Sequence, residues 1–212
     1  KITVIHFGVD PSFRPMKPEE FLPTLERYGL DNRPYVLLVG RIEHRKNHIT
    51  AIQAVRRLKS QGRLKDLRVV LCGHVGHGAE AAATARQVQE LGGDDLTLAS
   101  YVPPGDMPAF YSGAQALLFP SYYEGFGLPV LEAQACGLPV VASTASSLPE
   151  VVGDAGYCVE PDDAEAMTER LRLCIEDSAL RADLRAAGLA RAAQFTWDRS
   201  ARRTADAYRS LL

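Results

Sequence analysis

Apolar, β-branched runs alternate with stretches of helical spacing along most of the sequence, and this alternation narrows the accessible folds more than any other feature. The runs cover residues 1–7, 35–39, 67–72, 96–99, 116–119, 138–142 and 157–159. Being continuously apolar rather than alternating, they predict strands buried on both faces. Helical spacing covers 47–59, 79–91, 129–136 and 163–176, and then 180–193 and 197–212 follow with no strand between them. Strand and helix in strict succession predict an α/β fold, a Rossmann-like parallel sheet flanked by helices, with a helical C-terminal tail. A chain of 212 residues suits one such core.

The first stretch, KITVIHFGVD, reads as a strand that runs into an extended, Pro-rich connector, PSFRPMKPEE. We therefore divide the chain into a connector over 1–18 that enters from a preceding domain, a ligand-binding domain over 19–195 and a C-terminal helix over 196–212. Charge excludes some functions: 24 basic against 26 acidic residues leave a formal charge of −2, so nothing global draws the chain to nucleic acid. The cysteines Cys72, Cys136, Cys158 and Cys174 lack C-x-x-C spacing and sit among apolar neighbours, as reduced thiols of a cytoplasmic protein do. No apolar run reaches the roughly 20 residues that span a bilayer, and no signal peptide opens the sequence.

Open parallel sheets bind ligands beyond the carboxyl ends of their strands, so the loops there carry the functional expectation. After residue 39 comes GRIEHRKN, with Arg41, Arg45 and Lys46 in a short loop and Asn47 placed as N-cap of the next helix. Cations beside a helix N-terminus favour an anion twice, through side-chain charge and through free N–H groups. Read alone, RIEHRK is an ordinary solvated basic loop; its position makes it a diphosphate site. His44 and His48 are taken as loop and helix-surface residues.

After residue 119 comes FPSYYEGFGLPVLEAQACGLPVVAS. Gly125 and Gly127 let the backbone approach a ligand, and Pro129 suits the first turn of a helix. Glu132 lies about one turn into that helix and is expected to reach back into the same pocket as Glu124. Such carboxylates serve either as acid and base or as acceptors of sugar hydroxyls. Taken singly, Glu124 reads as a solvated turn residue and Glu132 as a helix former.

The string EGFGLPVLEAQACGLPVVAS resembles the E-x7-E signature of retaining GT-B glycosyltransferases, in particular family 4, whose members are also called glycosyl transferases group 1. GRIEHRKN is similar to their phosphate-binding loop, GVDPSFRP to their connector, SSLPEVVGDAGYCVEPDD to the segment after the signature helix and FTWDRSARRTADAYRSLL to their terminal helix. The resemblance implies the C-terminal, donor-binding half of a GT-B fold. Arg41 and Lys46 would hold the donor diphosphate, and Glu124 with the backbone of Gly125, Phe126 and Gly127 would meet the donor sugar. Leu128 would offer its N–H to the phosphates, Glu132 would bind the ribose and the base would lie near Tyr101 and Val102. Arg41, Lys46 and Glu124 are the candidate catalytic residues. Gly73, in CGHVGHG, is expected to approach the donor closely, while His74 and His77 read as loop residues.

No D-x-D pair is present, so no metal is expected and fixed positive charge would stabilise the leaving group. No cofactor is expected; the partner is a nucleoside-diphosphate sugar, GDP-mannose in preference to UDP-glucose or a related UDP-sugar, and the acceptor site belongs to the missing N-terminal domain. Arg56, Arg57, Lys59, Arg63, Lys65 and Arg68 read as a solvated face, with anionic lipid as the functional alternative, which leaves open a peripheral contact at the inner face of the membrane. Two other readings stand beside this one. A noncatalytic sugar-nucleotide-binding module would lack transfer altogether, and a NAD-dependent oxidoreductase domain would need the G-x-G-x-x-G order that CGHVGHG lacks.

Overall fold

A computed structural model describes residues 2–210. Six parallel strands form one sheet: β1 (Tyr35–Val39), β2 (Arg68–Cys72), β3 (Leu96–Ser100), β4 (Ala116–Phe119), β5 (Val140–Ser143) and β6 (Tyr157–Val159). Their spatial order is β3-β2-β1-β4-β5-β6, the doubly wound order in which the direction of winding reverses between β1 and β4. Strand neighbours alternate between two cores, as a period of two requires. Val36, Leu38, Val69 and Leu71 face one cluster, and Tyr35, Leu37 and Val70 face the other.

Helices α2 (His48–Ser60), α3 (Gly78–Gly92) and α7 (Ala164–Glu176) pack on the first face. On the second lie α1 (Pro18–Arg27), α4 (Met107–Gly113), α5 (Leu128–Ala135) and α6 (Leu148–Val152). Helix α8 (Ser178–Ala192) packs against both α5 and α7, placing Leu184 in one core and Ala192 in the other. Helix α9 (Trp197–Arg209) follows and buries no residue of its own. Its expected continuation through Leu211 and Leu212 lies outside the described residues. Among those described, no helix is long and apolar enough to cross a membrane.

The predicted strand over 1–7 does not form: residues 2–9 adopt no regular structure, and Lys1 lies outside the described residues. The segment finds no strand partner, so Ile2 and Val4 stand 93% and 60% exposed. Its end is held by the backbone, where the Val9 N–H donates to Phe195 O at 3.0 Å. Pro18 opens α1, and the Glu20 carboxylate accepts from the Lys17 N–H at 2.8 Å to cap it.

Candidate functional site

The winding reversal brings the loops after β1 and β4 together. The loop after β1 makes one 3-10 turn, His44–Lys46, and leaves it through Asn47 in the left-handed region at φ 49°. That geometry overturns the expected N-cap role of the Asn47 side chain, which accepts no helix N–H. Its Nδ2 instead donates to Pro161 O at 2.7 Å and its Oδ1 accepts from Thr50 Oγ1 at 3.0 Å, tying the loop to the chain after β6. His48 is not a surface residue either. It is 2% exposed, with Nε2 3.2 Å from Arg41 O, and burial pushes its pKa down to about 4.

Lys46 turns back from this loop. Its Nζ lies 5.1 Å from the centre of the Phe119 ring and forms a 2.6 Å ion pair with Glu124, the two side chains being only 12% and 11% exposed. Arg45, counted in the sequence among the loop's cations but given no separate role, fastens the two loops together. It donates to Tyr123 O at 2.7 Å, pairs with Glu43 at 2.9 Å and Glu124 at 3.4 Å, and accepts at its carbonyl from Tyr122 N at 2.9 Å. His44 stacks on Tyr122 at 5.2 Å, and the Tyr122 hydroxyl donates to Asp162 at 2.5 Å.

The glycine loop is shaped by the segment after β5. Ser146 Oγ accepts from Glu124 N at 2.9 Å and donates to Glu124 O at 3.0 Å, while Ser147 Oγ lies 3.0 and 2.9 Å from the carbonyls of Glu124 and Phe126. Gly127 sits at φ +104° as N-cap of α5, and a Cβ there would lie 2.8 Å from Leu148 Cδ2, so both backbone and space demand glycine. At Gly125 the reverse holds: nothing lies within 4 Å of an added Cβ. The Phe126 ring points into an aromatic group with His6, Phe7 and Phe195, leaving its backbone on the loop surface. Leu128, first residue of α5, directs an N–H without an intrahelical acceptor toward the loop.

Beside these loops lies a cavity of about 290 Å³. Five of the expected residues line it: Arg41, Gly73, Tyr101, Val102 and Glu132. Phe13 and Met107 form part of the wall and were not anticipated. Glu132 and Glu124 do not share this cavity, contrary to expectation. The Glu132 carboxylate accepts from the buried Tyr111 hydroxyl at 2.6 Å, whereas Glu124 is drawn to Lys46. Burial raises the pKa of Glu132, and the Tyr111 hydrogen bond opposes that rise. Gly40 links the two places, since it lines the cavity and a Cβ on it would lie 3.3 Å from Lys46 Nζ. Gly73 is a close-approach residue, but against protein: a Cβ there would meet Gly40 O at 2.0 Å.

Chemically the arrangement is an apolar-walled cavity with a free guanidinium at its mouth, a sequestered carboxylate inside and a cation beside a helix start at its end. Arg41 is exposed and makes no side-chain hydrogen bond or ion pair among the described residues. The basic group near α2 is different, because Arg57, Lys59, Arg63 and Arg68 pair with Glu165, Asp95, Glu176 and Asp31. Tyr111, Ser146 and Ser147 were missed because their partners lie 21 to 23 residues away in sequence and only the fold unites them.

The model of the family described as glycosyl transferases group 1 matches residues 25–191. Over 213 residues the chain is 37% identical to the O-antigen chain mannosyltransferase B of Escherichia coli, a match that takes in 100% of this chain and 55% of that protein. The chain thus spans about half the length of this curated relative. Its structure superposes on the C-terminal domain of the glycosyl transferase group 1 family protein LpcC from Francisella tularensis with a TM-score of 0.73 at 26% identity, covering 88% of this chain and 97% of that one. It shares its fold with Anabaena HepE, solved in complex with UDP and glucose, at a TM-score of 0.85 and 23% identity, covering 98% of this chain and 56% of HepE. With the family model matched over the whole sheet and both switch-point loops, the chain belongs to the glycosyl transferases group 1 family.

Proposed function

We propose that this chain is the donor-binding half of a retaining glycosyltransferase that moves a hexose from a nucleoside-diphosphate sugar to an acceptor hydroxyl. The observation that carries the reading is the Lys46–Glu124 ion pair that joins the loops after β1 and β4 where the sheet changes direction, with Arg41 lining the adjoining cavity. Ribose and base fit the cavity, with Glu132 accepting from ribose hydroxyls while Tyr111 fixes its orientation, and with the base against Tyr101 and Val102. The diphosphate runs over Gly40 to Lys46, within reach of Arg41 and the N–H of Leu128. Glu124 and the backbone of Gly125, Phe126 and Gly127 meet the sugar. As the bond to the anomeric carbon breaks, negative charge grows on the departing diphosphate, and Arg41 and Lys46 stabilise it.

The likeness to an O-antigen chain mannosyltransferase favours mannose and hence GDP-mannose. HepE, with UDP and glucose bound, keeps a UDP-sugar in second place. The four cysteines are free, in keeping with a reducing, cytoplasmic setting. The oxidoreductase reading is disfavoured, since the glycines Gly73, Gly76 and Gly78 follow β2 rather than the strand at the switch point.

Calorimetric titration with GDP-mannose, UDP-glucose and other nucleotide sugars tests the reading. GDP-mannose is expected to bind the chain, and Arg41→Ala to weaken it at least ten-fold, since a charge-assisted contact contributes about 1.5–3 kcal/mol. Failure of every nucleotide sugar to bind would falsify it.

A further inference from the structure

A second basic cavity, of about 150 Å³, lies between the first residues, the end of α8 and the start of α9. Arg191, Arg199 and Arg203 line it together with His6, Thr196 and Glu150. Among the described residues, none of these arginines meets a carboxylate. Arg191 donates to the carbonyls of Glu150 and Val151 and lies over the Phe195 ring at 4.8 Å, and Arg199 donates to Gln194 O at 3.0 Å. Arg203 makes no side-chain hydrogen bond or ion pair among the described residues, and neither does Arg202, which lines the adjoining hollow with Arg199, Arg203, Thr196 and Asp198. The single acidic side chain of the cavity, Glu150, is engaged by His6 Nε2 at 2.6 Å.

Near α2, by contrast, Arg57, Lys59, Arg63 and Arg68 each pair with a carboxylate. Here guanidinium groups converge without such a match, and their mutual repulsion is relieved by an anion. A guanidinium fork fits phosphate oxygens in pairs. Position adds to the argument. The His6 ring lies 6.0 Å from Phe126 and 5.6 Å from Phe195, and the Phe7 ring lies 5.3 Å from Phe126, so a single aromatic layer separates this cavity from the EGFG loop.

We propose that Arg191, Arg199 and Arg203 form a second anion site that takes a phosphate or diphosphate ester. The donor diphosphate already has Arg41 and Lys46, so the ester at this site is a separate ligand. The anion site stands on its own residues and does not depend on the donor reading above.

The test is a titration of the 212-residue chain with pyrophosphate and with glycerol 3-phosphate, followed by amide chemical shifts in the wild type, in Arg41→Ala and in the double variant Arg199→Ala, Arg203→Ala. At millimolar anion, shifts are expected in residues 196–203 of the wild type and of Arg41→Ala. The double variant should bind there at least ten-fold more weakly, with the response of residues 40–47 unchanged. Should it fail to fold, Arg199→Lys with Arg203→Lys replaces it and should show a smaller loss, because charge is kept and the fork removed. Shifts in 196–203 without any in 40–47 would sink the donor reading and leave this site standing. Absence of shifts in 196–203, or equal shifts in wild type and double variant, would overturn the site.

Sedimentation with phosphatidylcholine vesicles containing phosphatidic acid separates the sources. Binding that the double variant loses assigns a lipid headgroup, and saturation by glycerol 3-phosphate without sedimentation assigns a soluble ester. Neither response overturns the site.

Discussion

His48 sits beneath the Arg41 loop with its imidazole enclosed, and this makes stability depend on acidity. Burial lowers its pKa from 6.5 to about 4, so between those values the unfolded chain binds a proton that the folded chain refuses. Its contribution is therefore complete above pH 6.5 and is lost as the pH falls toward about 4, and it amounts to up to about 3 kcal/mol at about 1.4 kcal/mol per pH unit. Arginine partners hold Glu20, Glu169 and Glu176 below their ordinary 4.5, so these carboxylates act lower on the scale. Urea midpoints measured from pH 6.5 down to about 4 should fall more steeply for the wild type than for His48→Gln. Parallel curves would show that this imidazole is not the group responsible. The sequence concealed the residue's place, since a histidine at the first position of a helix shows nothing of what covers it. Glu132 was easier to read, because one turn into a helix its side chain must point back toward the loop. What the spacing could not supply was Tyr111, which comes from α4 and turns the carboxylate inward.

At the level of elements, β1, β4 and β6 fall where their apolar runs end, and α2, α3 and α5 begin within one residue of their patterns. The three helices that escaped notice, α1, α4 and α6, are ten, seven and five residues long and each has proline in its first turn. A proline there marks a helix start as readily as a turn, and in α4 and α6 seven and five residues show too few repeats for a period to emerge. The EGFG loop was legible as a loop, yet its two glycines serve different ends. Gly127 is required by the fold, at φ +104° with Leu148 beneath it. Gly125 faces open space, which in the proposed reading is room for the donor. Gly127→Ala should cost about 1–3 kcal/mol of stability through backbone strain and displacement of Leu148. Gly125→Ala should leave the denaturation midpoint nearly unchanged and weaken donor binding in calorimetry. If Gly125→Ala binds donor as tightly as the wild type, the loop does not contact the donor there.

For the molecule as a whole, the loops after β1, β4, β5 and β6 are tied into one edge by Arg45, Asn47, Ser146, Ser147 and the Tyr122–Asp162 hydrogen bond. An edge so cross-linked is pre-organised, which lowers the ordering cost of binding, and in the proposed reading donor binding then needs no help from another domain. That the C-terminal domain of LpcC gave a crystal structure over nearly the same extent argues that such a half folds independently. Transfer is a different matter. It needs an acceptor hydroxyl held against the anomeric carbon, and proximity of that kind contributes about 7–11 kcal/mol to lowering a barrier. In the proposed reading the groups that orient the acceptor lie in the part of the relatives' length that this chain does not span. The 212-residue chain incubated with GDP-mannose and a mannoside acceptor should therefore bind donor and form no product, and the same site should become productive when the chain is extended to the full length of its relatives. Product formed by the chain alone, detected by mass spectrometry, would place the acceptor machinery within these residues and refute the division of labour.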